Sequence, residues 1–145
     1  MKHIVIKLKR LVDSAKVPSY AHRGECGDLA ADLYAAEKIE FLPGDVKSNR
    51  TGIAVEFPPS FGGIVADRSG LALQGFTTLA GVIDPGYRGE LLVVAANLGT
   101  EPIRINEGTR IAQMIVIEKI EASFEEVRSL GSSERADSGF GSSGL

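Results

Sequence analysis

The chain has no tryptophan, one cysteine and two histidines among its 145 residues, and aromatic residues make up only 6% of it. A single thiol closes no internal disulfide, so Cys26 leaves core packing as the source of stability and fits a reducing compartment. Cys26, His3 and His22 do not fall at metal-ligand spacing, which argues against a zinc site built by the protein. Positive charge is scarce too. Lys and Arg number 16 against 19 Asp and Glu, a net charge of −3, and no basic stripe is present to release counterions from a nucleic-acid backbone. No nucleic acid is therefore expected as a partner. No apolar run approaches the length of a membrane span, and Met1 to Lys7 lacks the apolar stretch of a signal peptide. The expectation is a cytoplasmic protein without a membrane partner.

What is abundant is punctuation. There are 17 glycines and 6 prolines in a chain that is 43% hydrophobic and 24% charged, which predicts one globular domain of many short strands. Ile4 to Leu8 and Ile53 to Phe57 alternate apolar and polar residues and read as half-buried strands. Leu91 to Ala96 is apolar without alternation, so both its faces need a cover, one from the core and one from another layer or subunit. Pro102 to Asn106 and Ile111 to Ile120 read as later strands. Local propensity makes Asp28 to Lys38 a helix, since Leu29, Leu33 and Ala36 recur at helical spacing. A short helical turn is predicted at Ser69 to Gln74 with Ser69 as its N-cap. The domain spans residues 1–130. Residues 131–145, rich in Gly, Ser and charge, bury too little to order themselves and form a mobile arm.

Two segments carry chemistry. In Gly81-Val82-Ile83-Asp84-Pro85-Gly86-Tyr87-Arg88-Gly89-Glu90, a Pro-Gly pair reverses the chain between a carboxylate and an aromatic ring, so that Asp84 and Tyr87 project toward one small ligand. Taken alone, the segment is also an ordinary hairpin turn. In Arg135-Ala136-Asp137-Ser138-Gly139-Phe140-Gly141-Ser142-Ser143-Gly144, a cation, a ring and small residues could wrap phosphate oxygens with N–H and hydroxyl groups. A plain flexible terminus has the same composition but does not explain Phe140.

With these segments in view, the sequence resembles the trimeric dUTP diphosphatase (dUTPase) family over five ordered motifs between Ala30 and Gly144. Ala30-Ala31-Asp32-Leu33-Tyr34-Ala35 fits the first motif, with Ala30 where glycine is common; a second Asp-Leu-Ala at Asp28 leaves the register between Asp28 and Asp32 arguable, and the distance to Pro43 favours Asp32. Asp67-Arg68-Ser69-Gly70-Leu71-Ala72 resembles the second, Gly81 to Gly89 the third, Gly108-Thr109-Arg110-Ile111-Ala112-Gln113 the fourth, and Arg135 to Gly144 the fifth. The resemblance implies an all-β, mostly antiparallel jelly roll with one short helix and a flexible C-terminal arm, assembled as a homotrimer whose active sites are each built from three subunits. On that fold, residues 28–38 are not helical.

The implied reaction is Mg²⁺-dependent hydrolysis of dUTP to dUMP and pyrophosphate, which keeps uracil out of DNA and supplies dUMP for thymidylate synthesis. Asp84 would be the general base for the attacking water. Asp32 would reach Mg²⁺ through water. Arg68, Ser69, Gly70 and Gln113 would hold the phosphates, and Thr78, Gly81, Val82 and Ile83 would select uracil through backbone groups, while Tyr87 would exclude a ribose. Phe140 would stack on the base and Arg135, Gly141, Ser142 and Ser143 would close on the phosphates. Asp67 departs from the family, whose usual residue there is proline; restoring proline is expected to be tolerated. A deaminase acting on dCTP and a nucleotide-sensing module are the rival readings, separated by release of ammonia and by binding without pyrophosphate release.

Overall fold

Period-two alternation needs a partner strand before it becomes a sheet, and the pairing decides where each strand begins. A computed structural model describes residues 3–133. Strand β1 covers Lys7–Arg10 and β4 covers Val46–Glu56, paired antiparallel from Lys7 opposite Glu56 to Arg10 opposite Ile53. The strand expected from Ile4 thus starts three residues late. Its partner stops at Glu56 because Phe57 leads into Pro58 and Pro59, which have no N–H to donate to a ladder.

The remaining elements are β2 (Ala30–Tyr34), β3 (Ile39–Phe41), β5 (Phe61–Ala66), α1 (Ser69–Ala72), β6 (Phe76–Thr78), β7 (Val82–Ile83), β8 (Glu90–Asn97), β9 (Ile103–Ile105) and β10 (Arg110–Glu118). They form a four-stranded sheet in the order β1-β4-β8-β6, a second in the order β2-β10-β5-β7, and a small β3-β9 pair. Every strand pair is antiparallel, so the expected all-β architecture with one short helix is what the chain adopts. Leu33, Val65, Ile111 and Met114 from one large sheet and Ile53, Val55, Phe76 and Val93 from the other enter one core. Phe41 and Phe76 meet in it edge to face with ring centroids 5.1 Å apart, the arrangement the ring quadrupoles favour.

One local reading is decided and one is corrected. Residues 28–38 hold β2, as the family resemblance implies and against local helix propensity, because Ala30–Tyr34 pairs along β10 and the Asp32 N–H donates to the Ser19 carbonyl at 2.8 Å. Tertiary pairing outweighs a few tenths of a kcal/mol per residue of helix preference. In the short helix the capping position is Arg68, not Ser69, and no side-chain capping bond is made; Ser69 is already the first helical residue. The unalternating run lies in β8, where Leu91, Val93 and Ala95 are buried and Leu92 remains 45% exposed. Among the described residues the second face of that strand has no full cover.

Candidate functional site

The register of the second sheet brings three sequence-distant positions into one row. Gln113 of β10 stands opposite Asp32 of β2 on one side and Ala66, the last residue of β5, on the other. Asp67 and Arg68 follow at once, so the entry to α1 lies over this row. Asp32 is buried, with 6% of its surface accessible. Its two oxygens are taken by arginines: Oδ1 contacts Arg68 Nη1, and Oδ2 accepts from Arg110 Nη1 at 3.3 Å. Burial and the Arg110 charge both lower the Arg68 pKa from its ordinary value, while the Asp28 charge raises it. Two guanidinium groups against one carboxylate leave a net charge of +1 here, a polarity suited to a phosphate. Asp28 itself lies in the preceding loop, where its carboxylate accepts from the His22 N–H at 2.9 Å.

Gln113 Nε2 donates to the Asp67 carbonyl at 2.7 Å. The amide nitrogen carries two N–H groups, so this bond spends one and leaves the other for a ligand. Ser69 and Gly70 are exposed at the start of α1, and a Cβ placed on Gly70 would meet nothing within 4 Å. The protein does not itself require a glycine there; the openness suits close approach of a ligand.

Asp67 turns away from the arginines. Its Oδ1 accepts from the Thr78 N–H at 2.5 Å and from Thr78 Oγ1 at 2.6 Å, and its Oδ2 accepts from Thr77 Oγ1 at 3.0 Å. Burial raises its pKa, but these bonds outweigh that and hold the group below the usual aspartate value. Proline at 67, expected to be tolerated, would remove all of these bonds and leave the Thr78 N–H without this acceptor, so the structure sets a cost against that substitution.

The third segment is a hairpin. From Thr78 the chain passes Ala80 at φ 63° and Gly81 at φ 113° and enters β7, which pairs with β5 through Val82 opposite Ile64 and Ile83 opposite Gly63. A Cβ on Gly81 would lie 2.9 Å from the Val65 carbonyl oxygen, so both backbone conformation and space demand glycine. Among the described residues β7 is the last strand of its sheet, and the backbone groups on its outer side face no strand. Beyond it the Tyr87 N–H donates to the Asp84 carbonyl at 3.1 Å, closing the turn that the Pro-Gly pair predicts. Asp84 is exposed, beside a cleft of about 600 Å³ lined in part by Gly62, Gly63, Val82, Ile83 and Lys119. Tyr87 Oη donates to the Glu90 carbonyl at 3.0 Å, which lays the ring across Gly89; a Cβ at Gly89 would strike the tyrosine hydroxyl.

The predicted residues thus gather in two places. Asp32, Arg68, Ser69, Gly70, Gln113 and Thr78 lie around the Ala66 end of β5. Asp84 and Tyr87 follow Ile83, and Asp84 lines the cleft with Gly62 at the other end. Gly62 to Ala66 is four steps along a strand, roughly 13 Å. Arg135, Phe140, Gly141, Ser142 and Ser143, with most of the expected arm, lie outside the described residues. The sequence reading missed the roles of Arg110, Gly89 and the Asp67 side chain. A glycine two places after Tyr87 was the available signal for Gly89; no spacing announces a carboxylate that reaches another sheet.

The dUTPase family profile matches residues 14–144. The deoxyuridine 5'-triphosphate nucleotidohydrolase of Clostridioides difficile is 42% identical over 143 residues, spanning 97% of this chain and 98% of that protein. The protein of the same name from Solibacter usitatus is 44% identical over 142 residues, covering 96% of this chain and 95% of the relative. Among solved structures, the dUTPase of Staphylococcus bacteriophage 80alpha with dUPNHPP superposes with a TM-score of 0.83 at 26% identity, over 97% of this chain and 99% of that one. Matches of this length take in the arginine row, the hairpin and the strands that carry them, and on that ground the chain belongs to the dUTPase family.

Proposed function

We propose that this chain is a dUTP diphosphatase that hydrolyses dUTP to dUMP and pyrophosphate, with Asp84 as general base. The observation that carries the assignment of the base is the hairpin. It sets an exposed carboxylate on a turn closed by the Tyr87 bond, one step beyond an edge strand whose outer backbone groups face no other strand among the described residues. Asp84 takes a proton from water as its oxygen forms a bond to the α-phosphorus; the bond to the bridging oxygen breaks, and pyrophosphate leaves with that electron pair. The polyanion repels the nucleophile, so the cationic row formed by Arg68 and Arg110 around Asp32 must draw the phosphates in and hold them, with Ser69, Gly70 and the remaining Gln113 N–H as further donors.

Backbone groups at Gly81, Val82 and Ile83 select uracil, because fixed donors and acceptors cannot rotate to suit cytosine. The outer edge of β7 supplies such groups, and Thr78 anchors its approach. The Tyr87 ring, held by Glu90, closes the space a ribose 2′-hydroxyl would need. Arg135, Phe140, Gly141, Ser142 and Ser143 are assigned to closing over the bound nucleotide.

For Mg²⁺, the donors fit an ion that arrives with the triphosphate. Among the described residues no group of three or more His, Cys, Asp or Glu is placed to hold a metal, and both oxygens of Asp32 already meet arginines. A hard ion that keeps its waters would suit such a site, and Asp32 would hold it only through that water shell. When bound, Mg²⁺ supplies neutralisation of the phosphate charge.

A homotrimer with shared sites is supported by the separation along β5 and by Leu92, which stays 45% exposed on an apolar strand. Each hairpin would then work against a neighbour's arginine row. A cytoplasmic setting fits the single exposed cysteine, and among the described residues no helix is long and apolar enough to cross a membrane.

Pyrophosphate release from a panel of deoxy- and ribonucleoside triphosphates with Mg²⁺ tests the assignment, dUTP being the expected substrate. Asp84→Asn should still bind dUTP while turnover falls by on the order of a hundredfold or more. Wild-type turnover in that variant would remove Asp84 from the chemistry.

A further inference from the structure

One side chain fastens the two large sheets at the point where the hairpin begins. Asp67 leaves β5 in one sheet, and its carboxylate binds Thr77 and Thr78 at the end of β6 in the other. Its carbonyl meanwhile accepts from Gln113 of β10. After Thr78, residues 79–81 cross to β7 with Leu79 N–H on the Val94 carbonyl and Val65 N–H on the Gly81 carbonyl at 2.9 Å. The height of Val82 and Ile83 over β5 is therefore set from one side by their own short ladder and from the other by the grip of Asp67 on Thr78. A two-residue strand has little ladder to resist a shift, and the bond at 2.5 Å to the Thr78 N–H adds a charge-assisted restraint on its approach to the pairing of Thr77 and Thr78 with β8.

We infer that Asp67 is a positioning residue for base selection: through Thr78 it fixes where the backbone groups of Gly81 to Ile83 stand, and so how sharply they distinguish uracil from cytosine. The inference rests on the reading that this hairpin holds the base. Discrimination by backbone donors and acceptors depends on the wrong base leaving a polar group unpaired, and a segment free to slide by an ångström or so repairs such mismatches. Asp84 is carried by its own turn bond at the far end of β7, so the chemical step is insulated from the clamp.

The test compares full-length wild type, Asp67→Ala, Asp67→Asn and a control, Thr51→Val, which removes the buried bond from Thr51 Oγ1 to the Leu91 carbonyl. For each, kcat and KM are measured with dUTP and dCTP, together with Tm. Asp67→Ala should raise the KM for dUTP about tenfold and reduce the dUTP-over-dCTP ratio of kcat/KM by a similar factor, with kcat for dUTP within about threefold of wild type. Asp67→Asn, which keeps an acceptor for Thr78 and offers Thr77 a donor, should recover most of the ratio. Thr51→Val should lower Tm without moving the ratio. An Asp67→Ala enzyme that loses Tm but keeps the wild-type KM and ratio, as the control does, overturns the inference. If Asp67→Ala does not fold, Thr77→Val carries the comparison: a fall in the ratio supports positioning and an unchanged ratio overturns it. Absence of dUTP turnover in the wild type would instead defeat the underlying reading of function, a result distinct from either.

Discussion

Removing the Asp32 carboxylate should cost this protein more than any other single ion-pair change at the site, and the response to added Mg²⁺ separates what that carboxylate does for Arg68 from what it does for the ion. In Asp32→Ala, Arg68 loses the partner of its Nη1 while its side chain, 28% exposed, stays largely out of water; Arg110, at 51%, turns to solvent at little cost. Breaking a fully buried pair costs roughly 3–5 kcal/mol, and an exposed one about 0–1 kcal/mol. Arg68 lies between these limits, so Asp32→Ala should lose about 2–3 kcal/mol, and Arg110→Ala less than about 1 kcal/mol. At this chain length that is a fall in Tm of about 5–10 °C for the aspartate variant. Because tryptophan is absent, unfolding is best followed by far-UV circular dichroism, at one fixed protein concentration so that subunit association does not move the midpoint. Equal stabilities for Asp32→Ala and Arg110→Ala would refute the claim that Asp32 stabilises the partly buried Arg68 guanidinium. The activity arm separates the two roles of the carboxylate. If Asp32 acts by holding Arg68, turnover stays low as Mg²⁺ is raised; recovery at high Mg²⁺ would assign it to the ion's water shell.

Gly81→Ala places a Cβ 2.9 Å from the Val65 carbonyl oxygen at a φ of 113°, and should destabilise the protein by roughly 2–4 kcal/mol in denaturant titration; a change under about 0.5 kcal/mol would show that the hairpin relaxes freely. Gly89→Ala meets only the hydroxyl end of Tyr87, so stability should hold while the ring is displaced, and the preference for dUTP over UTP should fall roughly tenfold; unchanged preference would separate Tyr87 from sugar selection. For pH, Asp67 has a folded-state pKa below its ordinary value of 3.8: burial raises it, and the bonds from Thr78 and Thr77 more than offset that. A depressed carboxylate pKa stabilises the fold fully above the unfolded value, about 3.9, and that stability drains away as pH falls through the lower folded value. The stability gap between wild type and Asp67→Asn should accordingly be constant at neutral pH and shrink below about pH 4, whereas a gap that does not change with pH would mean the charge of Asp67 is irrelevant to it.

What the sequence made legible was local. The turn at Asp84 to Tyr87 could be read because its cause, a Pro-Gly pair between the two residues, is contained in the turn, and the observed bond from Tyr87 N–H to the Asp84 carbonyl is the one that pair predicts. Leu91 to Ala96 could be read as a strand needing two covers for the same reason, and the exposed Leu92 marks the missing one. β2 was not readable from its own residues, because Ala30 to Tyr34 is a strand only by virtue of β10, some 80 positions away. The arginine row was half visible: the motifs name Asp32, Arg68 and Arg110, but only the register of three strands shows that one carboxylate joins the two cations. Asp67 illustrates the limit most sharply. By sequence it is a charge set unhelpfully beside a phosphate site, and that inference assumes that neighbours in the chain share an environment. The backbone at the end of β5 points the Arg68 and Asp67 side chains to different partners, one across the sheet to Asp32 and one to the other sheet at Thr77 and Thr78. Adjacent residues therefore have separate partners, and the proposed reading gives them separate jobs, phosphate capture and hairpin placement. The separation along β5 applies the same logic at larger scale, since motifs consecutive in the chain stand about 13 Å apart, and the proposed trimer would let a second copy of the chain bring an arginine row to the acid of the first.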